Sequence, residues 1–173
     1  MLQDLDNGLL DLIITPRKGG QQNLEYKAFS KERIVLVTNI ETDTRLLQSY
    51  LENQEIKAAV KLLKKELWYS TSADMEHLLN FWKKHFGEHP DFSPNYIVPN
   101  ISSIIRCLTS GSGFAVVPDF LCKEAILANK IKLVWEGNEP LENTLYFGVR
   151  KKTIYESEIN QLQDLFMSEW GEN

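Results

Sequence analysis

Residues 99–118, PNISSIIRCLTSGSGFAVVP, read as a helix that ends in glycines and runs straight into a buried strand. Asn100, Ser102 and Ser103 carry side-chain acceptors for the N–H groups that a first helical turn leaves unpaired. Ile104, Ile105 and Leu108 form an apolar stripe, and Gly111 and Gly113 are expected to supply the positive φ that a helix end needs. Phe114, Ala115, Val116 and Val117 make a short unbroken apolar run, the pattern of a strand covered on both faces. Pro118 and Asp119 then open another helix, with Asp119 as the cap of residues 120–127. Such a strand–helix–strand–helix unit aims helix N-termini at the carboxyl ends of parallel strands. Small polar or anionic molecules bind there without any catalytic side chain.

Outward from this stretch, strand and helix signals alternate. Residues 1–8 read as the last turns of a helix, with Leu2 and Leu5 inward and Gly8 just past its end. Residues 9–14 read as a buried strand, and 24–29 and 33–38 as two strands around a polar turn at 30–32. Helices are expected at 43–53, 56–64 and 75–86, the last preceded by a capping segment at 71–74 and carrying Met75, Leu78, Leu79, Trp82 and Phe86 on one face. Strands follow at 67–70, 96–98, 131–135 and 144–149. A closing helix at 154–170 has Ile159, Leu162, Leu165, Phe166 and Trp170 as its stripe. The alternation predicts an α/β fold with mainly parallel sheets and right-handed crossovers. Residues 40–143 hold a complete set of elements of their own.

The chain has 173 residues, enough for one domain or two small lobes. A net charge of −5 argues against direct nucleic-acid binding by this piece, because phosphate neutralisation needs a concentrated basic face. The one basic cluster, residues 57–65, is interleaved with apolar residues at helical spacing and reads as a solvated helix face. Cys107 and Cys122 both fall in expected helices as small buried hydrophobes, so a reduced, cytoplasmic setting is expected. No apolar run approaches the ~20 residues of a membrane span.

Enzyme chemistry finds little support. Gly111-Ser-Gly113 lacks the spacing of a nucleophile elbow and is followed by no Lys-Ser/Thr pair. His85 and His89 have the i, i+4 spacing of zinc ligands, but Gly87 and Pro90 interrupt the helix and no third ligand lies nearby. They read as surface histidines at a helix end. Glu156 and Glu158 meet a helix dipole, and Trp68-Tyr69 reads as core. No metal, cofactor or catalytic residue is expected.

In wording and order, the segments 7–14 (NGLLDLII), 32–37 (ERIVLV), 113–118 (GFAVVP) and 145–150 (LYFGVR) resemble the effector-binding domain of LysR-type transcriptional regulators, which shares the fold of type 2 periplasmic solute-binding proteins. The resemblance covers nearly the whole chain. It implies two lobes, one built from residues 1–39 and 144–173 and the other from 40–143, with a small effector held between them. It also implies that the first strand–helix–strand, about 40 residues, and the DNA-reading winged helix-turn-helix are absent before Met1. The first lobe would then be incomplete, and would self-associate or order loosely. DNA would be contacted only through that absent domain, and the protein would form a homo-oligomer, with residues 75–86 in a dimer interface. A stand-alone or transport-associated solute-binding protein of the same fold is the alternative.

The polar groups that packing leaves unexplained lie at strand ends: Thr15, Ser70, Thr71, Ser72, Asn100, Ser102 and Ser103. Helix capping accounts for each of them taken singly. Taken together, three caps lining one cleft would hold a ligand carboxylate or phosphate, and the resemblance implies effector contact at these strand ends. Arg17 and Arg106 are candidate charge partners, although solvent exposure is the plainer reading of both.

Overall fold

Strand β5, Phe114–Pro118, is buried at all five positions and organises everything around it. The structure, a computed structural model, describes residues 1–170, with the Trp170 side chain outside the description. Trp170, named in the expected stripe of the closing helix, therefore lies outside the described side chains. The chain divides into two units, Arg33–Leu141 and Met1–Glu32 with the segment from Glu142 onward.

In Arg33–Leu141 the strands are the second half of β2 (Leu24–Asn39), β3 (Trp68–Ser70), β4 (Tyr96–Ile97), β5 and β6 (Ile131–Trp135). β5 pairs β3 in parallel and β3 pairs β4 in parallel, while β2 runs antiparallel to both β5 and β6. The sheet is thus mixed rather than mainly parallel. β3, β4 and β5 each feed a crossover helix, as expected, whereas β2 enters the unit from outside and runs against them. Alternate residues sort to two faces. Ile34, Leu36, Trp68, Phe114 and Val116 pack under α2 (Arg45–Glu52), α3 (Ile56–Leu63) and α4 (Glu76–Phe86). Val35, Val37, Ala115 and Val117 pack under α5 (Ile101–Ser110) and α6 (Asp119–Leu127). Each fully buried Val, Leu or Ile contributes about 1.5–3 kcal/mol. Of the expected α4 stripe, Leu78 and Trp82 are at most 2% exposed and Met75 and Phe86 pack against the same cluster, while Leu79 stays half-buried outside it; Phe81, not in that stripe, is also buried.

In the other unit, α1 (Leu2–Asp6) packs Leu5 against Ile13 and Leu24, and Gly8 follows it at φ +78°. β1 (Leu12–Thr15) pairs antiparallel with β7 (Leu141–Arg150), from Leu12 opposite Val149 to Thr15 opposite Tyr146. The Arg150 guanidinium donates to the carbonyls of Leu5 (3.2 Å) and Leu10 (2.7 Å) and to Asp11 Oδ1 (2.7 Å). Phe29 stacks on Phe147 at 4.0 Å, with Phe166 of α7 (Glu156–Trp170) edge-on to both.

Several expectations are corrected. β2 is one 16-residue strand, not two. The polar residues 30–32 include no Gly, Pro, Asn or Asp to make a turn, and Glu32, 6% exposed, is held extended by a bond from Asn143 Nδ2 at 2.9 Å. β1 begins at Leu12, and Leu9 is 75% exposed. Residues 71–74 do not cap α4 with a side chain: its N-cap is Met75 in the left-handed conformation. Gly111 is extended, and only Gly113 takes positive φ (+119°), where a Cβ would stand 2.8 Å from the Leu67 carbonyl oxygen. Cys107 is exposed, so only Cys122 is the buried hydrophobe, its thiol pushed up to about 11 by burial and then by Asp119. In α7 Ile159 is buried, but Leu162 and Leu165 are exposed.

Candidate functional site

Because β3, β4 and β5 are parallel, the chain leaves all three at the same edge of the Arg33–Leu141 sheet and turns there into α4, α5 and α6. The edge is stitched together locally. Ser70 lies opposite Ile97, and the Val98 N–H donates to the Ser70 carbonyl at 2.8 Å. Asn100 N–H donates to the Val98 carbonyl at 2.7 Å, and Asn100 Oδ1 accepts from the Ser103 N–H at 2.9 Å. Segments 70–72 and 98–103 are therefore neighbours within one unit. Of the helix N-termini at this edge, that of α5 is capped by the neutral Asn100, whereas Asp119 Oδ1 accepts from the Phe120 N–H (2.8 Å) at the start of α6 and Glu76 stands in the first turn of α4. The partial positive charge that favours an anion is therefore least opposed at α5.

The sequence-derived candidates differ in what occupies their polar atoms. Asn100 is the N-cap of α5, as expected. Ser103 Oγ accepts from Arg106 Nη2 at 3.0 Å, so the exposed Arg106 guanidinium is tied to the first turn of α5. Ser72 Oγ donates to Asp74 Oδ1 instead of capping α4. Thr15 closes a two-residue turn, donating from Oγ1 to the Arg17 carbonyl (3.0 Å) and accepting from the Arg17 N–H (3.1 Å). The side-chain hydroxyls of Ser70, Thr71 and Ser102 make no hydrogen bond among the described residues. Ser70 is 8% exposed, and Ser102 is exposed at the helix start.

Two features of this edge escaped the sequence reading. Tyr69 stacks on Tyr96 at 5.0 Å, with Tyr96 half-exposed. Strand pairing brought the two tyrosines together, and no local pattern marks a pair 27 residues apart. His85 is not a surface histidine: its ring lies 4.4 Å from Phe81 and 5.1 Å from Trp135, and Nε2 is buried without a partner. No cluster of three or more His, Cys, Asp or Glu able to hold a metal ion exists among the described residues, and no helix among them is long and apolar enough to cross a membrane.

Known proteins place this architecture. The family model for the LysR substrate binding domain matches residues 1–170. The regulatory domain of CrgA, a LysR-type transcriptional regulator from Neisseria meningitidis, superposes with a TM-score of 0.72 at 15% identity, over 97% of this chain and 79% of that one. The C-terminal domains of a LysR family protein from Agrobacterium tumefaciens give 0.72 at 13% identity, over 96% and 75%. At such identities the likeness is one of fold. The transcriptional regulator AbaB of Streptomyces antibioticus is 27% identical over 74 residues, 43% of this chain and 25% of AbaB, so the match spans a quarter of that curated relative. With the family model matching almost every residue and the same fold in solved LysR regulatory domains, the chain belongs to the LysR substrate-binding domain family.

Proposed function

We propose that this domain senses a small anionic metabolite and passes the signal to a DNA-binding domain elsewhere in a LysR-type transcriptional regulator. The observation that carries the ligand chemistry is the sheet edge of Arg33–Leu141, where α5 begins beside the end of β3 and Ser70, Thr71 and Ser102 keep unpaired hydroxyls. Asn100 and Ser103 order the first turn of α5, and Arg106 supplies the cation beside it. Ser72 belongs to the same segment, and Thr15 is retained as the polar end of β1 in the other unit. The LysR-type regulator LysG of Corynebacterium glutamicum, which shares the fold at a TM-score of 0.63, has been solved with bound effector Arg. That precedent favours a small metabolite bearing a carboxylate.

In this reading the two units are the two lobes of the effector-binding domain, the protein works as a cytoplasmic homo-oligomer, and DNA is contacted through another domain. The family is one of regulatory binding domains rather than of enzymes. No observation favours the transport-associated alternative. Ligand binding would act by its differential affinity for two arrangements of the domain.

Replacing Ser102 by Phe tests the site. Ser102 is exposed, so the substitution should change stability by no more than about 0.5 kcal/mol. It should abolish the calorimetric signal of any carboxylate metabolite found to bind the wild-type chain. Unchanged affinity in the variant would remove the α5 start from the site.

A further inference from the structure

Gln163 is a buried polar side chain with no visible reason to be buried. It is 6% exposed, in the middle of α7, and its amide makes no hydrogen bond among the described residues. Its amide atoms nevertheless keep surface of their own, so their hydrogen-bond partner comes from solution rather than from the protein. The Gln163 side chain lines an open cavity of about 320 Å³ between α7, the start of β2 and the end of β7, all within the unit formed by Met1–Glu32 and the segment from Glu142 onward. This volume lies at the small end of the range for ligand pockets.

The walls define the chemistry. Glu156, Asn160 and Gln163 stand at i, i+4 and i+7 on α7, one above the other on the cavity face. Glu25 and Lys27, two residues apart on β2, share one side of that strand. Glu156, Glu25, Lys27 and Asn160 have no ion pair or side-chain hydrogen bond among the described residues. Arg150 and Lys151 also line the cavity, but their charges are engaged with Asp11 and the carbonyls of Leu5, Leu10 and Gln22. Val149 and Ile159, both at most 7% exposed, form the apolar floor. One free cation, two free carboxylates and two amides suit a zwitterion better than an anion.

We propose that this cavity is a second small-molecule site, separate from the α4–α5–α6 edge, and that it takes a free amino acid bearing a side-chain carboxamide. The ligand's ammonium faces Glu156 and its carboxylate faces Lys27. Its amide pairs with Gln163, because a carboxamide offers one donor and one acceptor in the complementary order and is self-complementary. Gln163 is the discriminating group: a site whose amide is placed to hydrogen-bond the ligand disfavours analogues lacking the matching polar group.

The test uses the full chain, ¹⁵N-labelled, titrated with L-glutamine as the probe. The side-chain NH₂ resonance of Gln163, assigned by its loss in Gln163→Leu, should shift saturably, and glutarate should produce no such shift. Gln163→Leu should weaken binding about tenfold or more. Glu156→Gln, on an exposed side chain, provides a second variant with little risk to folding and should weaken it several-fold. Ser102→Phe should leave glutamine binding intact, which separates this site from the one under Proposed function. An unshifted Gln163 amide, or equal affinity in wild type and Glu156→Gln, would overturn the proposal and leave water as the partner of Gln163.

Discussion

The two units hold themselves together by different means. In Arg33–Leu141 a central sheet is covered on both faces, with Trp68, Phe81 and Trp82 under one set of helices and Ile104, Ile105 and Leu108 under the other. In the unit containing α1, β1 and α7 the aliphatic cluster is Leu5, Ile13 and Leu24, joined by the Phe29–Phe147 stack. Long-range polar clamps take a larger share there: Arg150 on three acceptors around the α1–β1 loop, Asn143 on Glu32, and Lys151 on the Gln22 carbonyl. Apolar cover is non-directional and scales with area, whereas a clamp depends on a few atoms at set distances. The units should therefore fail in different ways.

The largest contrast comes from truncating each unit's characteristic contact. Trp82→Ala removes a fully buried ring packed edge-on against Trp68 and Phe86, and should cost about 3–5 kcal/mol in denaturant unfolding. If Trp82→Ala cost under 1 kcal/mol, the face under α4 would not be the main support of its unit. Next in size is Arg150→Met, which keeps the aliphatic stem and deletes the charge-assisted bonds to Leu5, Leu10 and Asp11. Each such bond contributes about 1.5–3 kcal/mol and the losses do not add fully, so a total near 2–4 kcal/mol is expected. Amide exchange should accelerate in residues 5–15 and stay unchanged in residues 114–117. Equal acceleration in both segments would mean the two units unfold as one and the contrast is false.

What could be read in the sequence follows the same division. The doubly covered strand Phe114–Pro118 and the Asn100 cap were legible because each is encoded locally: an unbroken apolar run, and a capping side chain three residues before the N–H it serves. Neither periodicity nor the family resemblance anticipated the antiparallel course of β2, which is a tertiary fact with no local signature. The continuous β2 was missed because polar residues were equated with a turn, although Ser30 is the only turn former among them and none supplies the fixed or positive φ of Pro or Gly. At the site, the sequence located the strand ends but not which hydroxyls stay free. That is decided by whether Asp74, Arg106 or the Arg17 backbone comes within reach. Gln163 carries no sequence signal at all: a glutamine in an amphipathic helix reads as solvent-facing until the packing of α7 turns it inward.

The smallest expected effect is also the most diagnostic of the larger unit. His85 lies against Phe81 and Trp135, and Gly137, at φ +89°, leaves the space its ring fills: a Cβ there would come within clashing distance of His85. Burial, and then the charge of Lys84, lower the imidazole pKa from 6.5 to about 4. The folded protein thus keeps His85 neutral while the unfolded chain protonates it near 6.5. Between these values the unfolded state binds more protons, so stability is intact above pH 6.5 and declines as the pH falls towards 4. His85→Phe removes the titration and the orphaned Nε2 while keeping an aromatic ring in place. Carboxylates titrate in both proteins, so the informative quantity is the difference between their urea midpoints, followed by tryptophan fluorescence at pH 7.5, 6.0 and 5.0. Wild type should lose ground to the variant at each step down. A difference that does not change with pH would show that His85 is protonated in the folded state, and that the aromatic face under α4 admits a charge.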